Sequence, residues 1–384
     1  MGFAVTRDEA LQRLAEFVPH AGSDYAKRRN YDYGTGNHHH VSGLSAALRR
    51  RTLTESETIA KTLSAHSFQS SEKFIQEVFW RTYWKGWLEM RPSLWRDYCG
   101  QIAAGFPESA QLRQAYEGRT DIACFDAWHE ELVQTNYLHN HARMWFASIW
   151  IHTLQLPWQA GAALFMHHLR DGDPASNTLG WRWVAGLQTR GKAYAARAEN
   201  IAQFTNDRFA PFGELQEDVA AIAGPENPPA MALREARSAS GKKALLLITP
   251  EDCHPESLAL AGAPDAIATM PAELISDRAI AVKQADAAAM ADAMARAQAH
   301  YGTTVTASLT VTRWQEELAE LMTQTGADHI IMAFQPTGLW HDVLASLDLP
   351  FKEILRPYDG LCWPHAKKGF FPFKEKIPQF LASL

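Results

Sequence analysis

Cysteine is scarce in this 384-residue chain, and its four copies (Cys99, Cys124, Cys253, Cys362) form no C-x-x-C pair. That scatter argues against a zinc site, and a chain this long does not depend on a disulfide framework. Long apolar runs are missing too. None reaches transmembrane length, and Met1 to Glu9 lacks a secretory apolar stretch, so the expectation is a cytoplasmic protein with no membrane partner. Net positive charge is also lacking, the formal charge being -6. Residues 1–215 nevertheless hold 23 Lys and Arg against 22 Asp and Glu, so the acidic excess lies downstream. A balanced half can still sort a basic groove onto one face, so overall charge excludes no nucleic-acid partner.

Tryptophan is what the chain has in excess. It carries thirteen, most of them before residue 185. Indoles at that density suit an aromatic core, stacking on bases, or electron transfer, and context has to choose. The first 212 residues read as an all-α domain. Ser70 to Met90 and Ala123 to Leu154 repeat apolar residues at helix spacing. Breakers separate the runs at Gly34-Thr35-Gly36, Gly105-Phe106-Pro107 and Asp171-Gly172-Asp173-Pro174. Residues 213–238, with Gly224-Pro225-Glu226-Asn227-Pro228-Pro229, read as a linker. From 239 to 384 the rhythm becomes α/β. Strands are expected at Lys243 to Thr249, Arg278 to Val282, Thr304 to Thr310 and His329 to Phe334, with helices over Ala285 to His300 and Trp314 to Thr325. Such alternation predicts a smaller parallel-sheet domain. It contains neither G-x-G-x-x-G nor a P-loop, and its alanine-rich run from Ala285 to Ala299 reads as a plain surface helix.

Four blocks in the helical half are similar, in order and near in spacing, to the flavin domain of DNA photolyases and cryptochromes. They are Asn30-Tyr31-Asp32 with Val41 to Leu48; Gln76 to Arg81; Leu138 to Met144; and Phe165-Met166 with Asp171-Gly172-Asp173, Asn177 and Gly180 to Trp183. The resemblance implies FAD, held by Tyr31, Ser42, Leu44, Ser45, Arg81, Asn140, Arg143, Asp171, Asp173 and Asn177. The residue chemistry is compatible. Ser42 and Ser45 offer hydroxyls where a loop feeds a helix, suited to a diphosphate. Arg143 and Asp171 are costly to bury alone, so a bidentate pair is expected. Asn177 matches the residue facing flavin N5, and an amide both donates and accepts.

The resemblance further implies light-driven repair of pyrimidine dimers in UV-damaged DNA. Trp80 and Trp183 match the indoles flanking the lesion, Glu77 the carboxyl that bonds its carbonyls, and Asn140 and Met144 the remaining contacts. Trp181 and Trp158 match the first two members of the electron relay, while Phe106 stands where its third tryptophan is expected. Val41 replaces Thr, Tyr137 replaces Trp, His141 replaces Arg, and the Gly-Thr-Asp segment after Trp183 is replaced. The leading expectation is a cyclobutane pyrimidine dimer photolyase. The alternatives are a cryptochrome-like photoreceptor with a protein partner, and a light-independent flavoprotein. No charged tail follows the fold, which favours repair. Glu317 to Ile331, then Tyr358 to Cys362 and Gly369 to Lys374, resemble the helix, closing strand and Pro-Phe loop of the family's antenna domain. That implies an antenna domain placed last instead of first. A second chromophore is not legible.

Overall fold

The computed structural model describes residues 3–236, 242–347 and 349–384. Twelve α-helices lie between Arg7 and Phe204. Their starts follow local chemistry. Thr6 with Glu9 and Thr54 with Glu57 form capping boxes, in which each threonine hydroxyl accepts from the glutamate N–H and each glutamate answers at the cap N–H. Ser67 caps the 22-residue central helix Phe68–Glu89, which matches the expected run. The second expected run is broken. Ala123–Thr135 ends where Asn136 turns left-handed (φ 57°), and the chain restarts as Asn140–Ser148, which passes into a π-helical turn at Ile149–Thr153. That break places Tyr137 to His139 in a buried loop.

Five parallel strands follow: β1 Ala244–Ile248, β2 Ala266–Thr269, β3 Thr306–Ser308, β4 His329–Ala333 and β5 Phe351–Ile354, in the order β3-β2-β1-β4-β5. The strand expected at Arg278 to Val282 is not one; helix Ile280–Tyr301 starts there. Its short apolar run resembles a buried strand, but Ile280 is 72% exposed and Arg278 turns into the helical half instead. β2 and β5, of four residues each, were not among the expected strands. Nor is the alanine-rich helix a plain surface element: Ala289, Ala293 and Ala297 are buried in the sheet core. Small side chains at that spacing let the helix lie close to the strands.

The expected α/β domain also ends early. Tyr358 to Cys362 and Gly369 to Lys374 form helices Pro357–Cys362 and Phe370–Lys374, not a closing strand and loop. Proline at the start of the first, and Phe370 and Phe373 buried in the second, suit short helices packed on an apolar face. Together with Ile377–Leu381 they return to the helical core, where Phe79 of the central helix meets Tyr358, Phe373 and Phe380 at 5.9–6.3 Å. The linker has no regular structure over residues 213–236 yet is tied down, Met231 N–H donating to Met90 at 2.9 Å. Its last two positions, 237 and 238, and the expected domain start at 239, lie outside the described residues.

Glycine matters most at Gly86 of the central helix. A Cβ there would stand 2.8 Å from the Trp363 ring and 2.9 Å from its Cα, so the close approach of the returning segment requires a hydrogen. Gly86→Ala is expected to lower stability by about 1–3 kcal/mol despite alanine's better helix propensity. Urea unfolding checks the sign, since a stabilised variant means the segment is not wedged against this helix.

Candidate functional site

The turn Leu169–Asp173 joins helix Trp158–His168 to helix Pro174–Val184 and gathers the charged candidates. Asp173 caps the second helix, accepting the Ser176 N–H at 2.7 Å with Pro174 at the first helical position. Arg81 (3.4 Å) and Lys85 (3.2 Å), both from the central helix, reach the same carboxylate. Burial opposes its charge, but Lys85, Arg81 and the cap outweigh burial and hold its pKa far below the usual range. Arg143 donates from Nη2 to Asp171 Oδ2 at 3.0 Å, while its Nε donates to the Leu138 carbonyl at 2.8 Å. The expected bidentate pair is therefore a single bond, because the buried carbonyl of the Leu138 loop claims the other donor. Asp171 Oδ1 is buried with no hydrogen-bond partner among the described residues. Burial works against the Asp171 charge as well, and Arg143 with the Ser45 hydroxyl overcomes it to lower the pKa.

The rest of the cradle faces this turn. Asn177 Nδ2 donates to Ala162 O at 2.8 Å, which fixes the amide and leaves its carbonyl oxygen without a protein partner. Arg81 Nη2 also donates to Ser45 O at 3.3 Å, tying the start of helix Ser45–Arg50 to the turn. Ser42 Oγ accepts the Leu44 N–H at 3.3 Å across Gly43, whose φ of 67° favours glycine. Leu44 is fully buried, and Tyr31 packs on Tyr33 and Phe204 at 5.7 and 5.1 Å. A buried unpaired carboxylate oxygen costs about 1–3 kcal/mol without a donor. Together with the free Asn177 carbonyl, it suits the N–H edge of a flavin ring, so the residues present fit the group.

Residues 74–214 match the FAD binding domain of DNA photolyase. The chain is 31% identical over 220 residues to a deoxyribodipyrimidine photo-lyase of Neurospora crassa, covering 54% of this chain and 34% of that protein. The namesake from Synechococcus sp. is 31% identical over 196 residues, 48% of this chain and 40% of the relative. The chain thus spans well under half the length of these relatives. A solved Synechocystis sp. cryptochrome matches at 23% identity and TM-score 0.47, covering 54% of this chain and 44% of that one. Residues 74–214 thus carry an FAD binding domain of the DNA photolyase kind, and the cofactor is FAD.

In this chain the residues matched to lesion contacts do not share one open platform. Glu77 reaches solvent (41% side-chain exposure) 3.8 Å from Arg29, yet desolvation by the surrounding protein raises its pKa. Asn140 is exposed, and Met144 and Trp183 are half-buried, Trp183 lying against Tyr194 at 5.4 Å. Trp80 is stacked by Phe370 of the returning segment, with ring centroids 3.6 Å apart and planes 12° off parallel. Trp80 and Trp183 make no ring contact with each other. In the relay, Trp181 is buried and touches Phe165 and Trp150, whereas Trp158 stacks on Tyr98 and not on Trp181. Phe106 is half-buried against the core.

Sequence reasoning missed two sets of residues. Arg49, Arg50 and Arg51 were not singled out in the sequence, yet all are buried and paired with acids far along the chain. The excess of acid after residue 215 was the available signal. The second set is the buried group Asp32, His38, Glu131 and His139, hinted at only by the His38-His39-His40 run. His38 Nε2 and Glu131 meet at 2.6 Å, and Arg208 (2.7 Å) and Trp128 Nε1 (2.9 Å) both donate to Asp32. Those donors complete the Asp32 carboxylate and balance its charge, which leaves little for a cation.

His139 lies beside this group, and burial, reinforced by His38, His141 and Arg143 against the pull of Asp32, pushes its pKa down to about 3. The folded state therefore binds fewer protons than the unfolded chain below the ordinary histidine value near 6.5. Stability is full above that value and falls as the pH drops from about 6.5 towards 3. At pH 5 this histidine alone should remove about 2 kcal/mol. His139→Asn, which keeps a capping side chain, is expected to flatten the slope of unfolding free energy between pH 7 and 5. An unchanged slope assigns the acid sensitivity elsewhere.

Proposed function

We propose that this protein performs light-driven repair of cyclobutane pyrimidine dimers in DNA, with reduced FAD as the electron source. Bound FAD supplies light absorption and one-electron chemistry. The chain's own residues supply the rest. Arg143, Asp171 and Asp173 hold the ring's polar edge, Asn177 faces its N5 side, and Tyr31, Ser42, Leu44, Ser45, Arg81 and Asn140 hold the remainder. The observation that carries the reading is Glu77, an accessible carboxyl whose pKa is raised by desolvation. That direction favours a carboxyl able to donate a hydrogen bond to a pyrimidine carbonyl and to stabilise charge developing on it. Met144, Trp80 and Trp183 would close around the flipped bases, whose extrusion costs a few kcal/mol, least for a damaged step.

One observation favours a second reading, a flavin photoreceptor acting on a protein partner. Phe370 occupies the Trp80 face that a base would take. Stacking a base on an aromatic ring is worth about 1–3 kcal/mol, and an aromatic pair about 0.5–1.5 kcal/mol beyond its area. The two contacts are close enough in strength for DNA to displace Phe370, so repair stays the leading reading. The sheet unit is read as an antenna-like domain placed after the flavin domain, supported by its five parallel strands. Superposition on the α/β domain of a photolyase structure tests this, and a different strand order there sinks it.

The deciding assay incubates reduced, FAD-loaded protein with a dimer-containing oligonucleotide under light and in darkness. Dimers should disappear only in the light. Glu77→Ala should lower the repair yield by about 10–100-fold, in line with losing one hydrogen bond to a developing charge, at unchanged flavin content. Persisting dimers alongside normal flavin photoreduction reject repair and leave the photoreceptor.

A further inference from the structure

Trp181 has two aromatic exits, and only one reaches solvent. Its ring stands edge-on to Trp150 at 6.2 Å (88°), and Trp150 stands edge-on to Tyr116 at 5.5 Å (68°). Trp150 is fully buried, whereas Tyr116 is 39% exposed, so the second step ends at water. Gly161 makes the first approach possible. A Cβ on it would fall 2.3 Å from Trp181 Cη2 and 3.0 Å from Trp150 Cδ2, so any side chain would push the indoles apart. Trp150 is held in register by its Nε1–H, which donates to Pro157 O at 2.9 Å.

The other exit is poorer on three counts. Trp158 makes no ring contact with Trp181, and its line continues through Tyr98 (5.7 Å) to Trp95 (5.4 Å), all buried. The Arg182 guanidinium lies 6.0 Å from the Trp158 ring centre, where its positive charge opposes an electron hole on that indole. Trp95 donates to Asp342 at 2.7 Å and does not open to water. Asp277 lies within electrostatic reach of both Tyr98 and Tyr116 and so does not separate the branches.

We propose that in this chain the electron relay to the flavin runs Tyr116–Trp150–Trp181, bypassing Trp158. The proposal rests on the FAD reading above. Trp181 gives up one electron on illumination, Trp150 refills Trp181, and Tyr116 refills Trp150. Tyr116 loses its phenolic proton to water and becomes a neutral radical. An external thiol then returns one electron and one proton to it, so the flavin is reduced by one electron and the thiol oxidised.

The test uses FAD-loaded full-length protein, illuminated with a small thiol in the buffer. Its readouts are flavin bound per chain, flavin photoreduction, and the protein radical identified by electron paramagnetic resonance after freezing under light without thiol. The parent should show a tyrosyl radical. Tyr116→Phe, which removes only an exposed hydroxyl, should abolish that radical and lose most lasting photoreduction at unchanged flavin content. Trp150→Phe should do the same, while Tyr98→Phe should leave both signals in place. Photoreduction that survives Tyr116→Phe overturns the proposal, as does its loss in Tyr98→Phe alone. A parent that takes up no flavin overturns the FAD reading and the relay with it, and flavin content separates that failure from the others.

Discussion

A buried chain of charges joins the two halves, and the flavin cradle depends on it. Arg49 donates to Gly172 O at 3.1 Å, Pro250 O at 2.8 Å and Glu251 at 2.7 Å. Glu251 also faces Lys85 at 3.4 Å, and Lys85 faces Asp173 at 3.2 Å. Arg278, from the sheet half, donates to Leu169 O at 2.8 Å and Gly172 O at 3.3 Å. The turn carrying Asp171 and Asp173 is thus gripped on its backbone by arginines from both halves. Removing one partner of such a network strands a buried charge, at a cost of about 3–5 kcal/mol, although a wholly apolar replacement could be as stable. The network's effect is therefore more in fixing geometry than in adding stability.

That grip explains where the sheet's usual binding crevice went. In open α/β sheets ligands favour the carboxyl ends of the strands where the order reverses, here between β1 and β4. Thr249 after β1 bonds Gln335 after β4 at 2.9 Å, closing the crevice from within. From the helical half, Arg49 and Lys85 take Glu251, and Glu89 accepts from the N–H and hydroxyl of Thr337 at 2.8 and 2.9 Å. Arg234 then spans Glu89 (2.7 Å) and Glu353 (3.0 Å). Side chains of the same protein fill the position a ligand would take, so the crevice serves as a docking socket for the flavin domain.

The sequence was readable where a residue's role is local and opaque where its partner lies far along the chain. The central helix and helix Trp314–Thr325 followed from apolar spacing, and β1, β3 and β4 from short apolar runs between breakers. The Arg143–Asp171 contact was legible because charged residues in apolar surroundings need partners nearby. Arg50 pairing with Asp286 at 2.6 Å and Arg51 with Asp359 at 2.7 Å were not, since the partners are 236 and 308 residues away. The return of Pro357 to Leu381 to the helical core was hidden for the same reason. An amphipathic segment shows that it has an apolar face but not which core will cover it.

That return brings two demands into conflict on one helix. On the central helix Phe79, Thr82, Tyr83 and Gly86 bury the returning segment, with Thr82 and Tyr358 hydroxyls 2.9 Å apart and Tyr83 donating to Lys368 O at 2.7 Å. Trp80 adjoins that face, and Phe370 reaches round to stack on it. Arg81 and Lys85 look the other way, to the Asp173 turn, and Glu77 faces Arg29. One helix thus supplies part of the flavin cradle, the Glu77 carboxyl and the seat of helices Pro357–Cys362 to Ile377–Leu381. Trp80 sits on the boundary between these surfaces. Phe370 is itself buried and also meets Tyr83 at 5.5 Å and Phe373 at 6.1 Å, so baring the indole moves the start of helix Phe370–Lys374 as well. The contact that distinguishes the two functional readings is therefore tied to how the returning segment packs on the central helix.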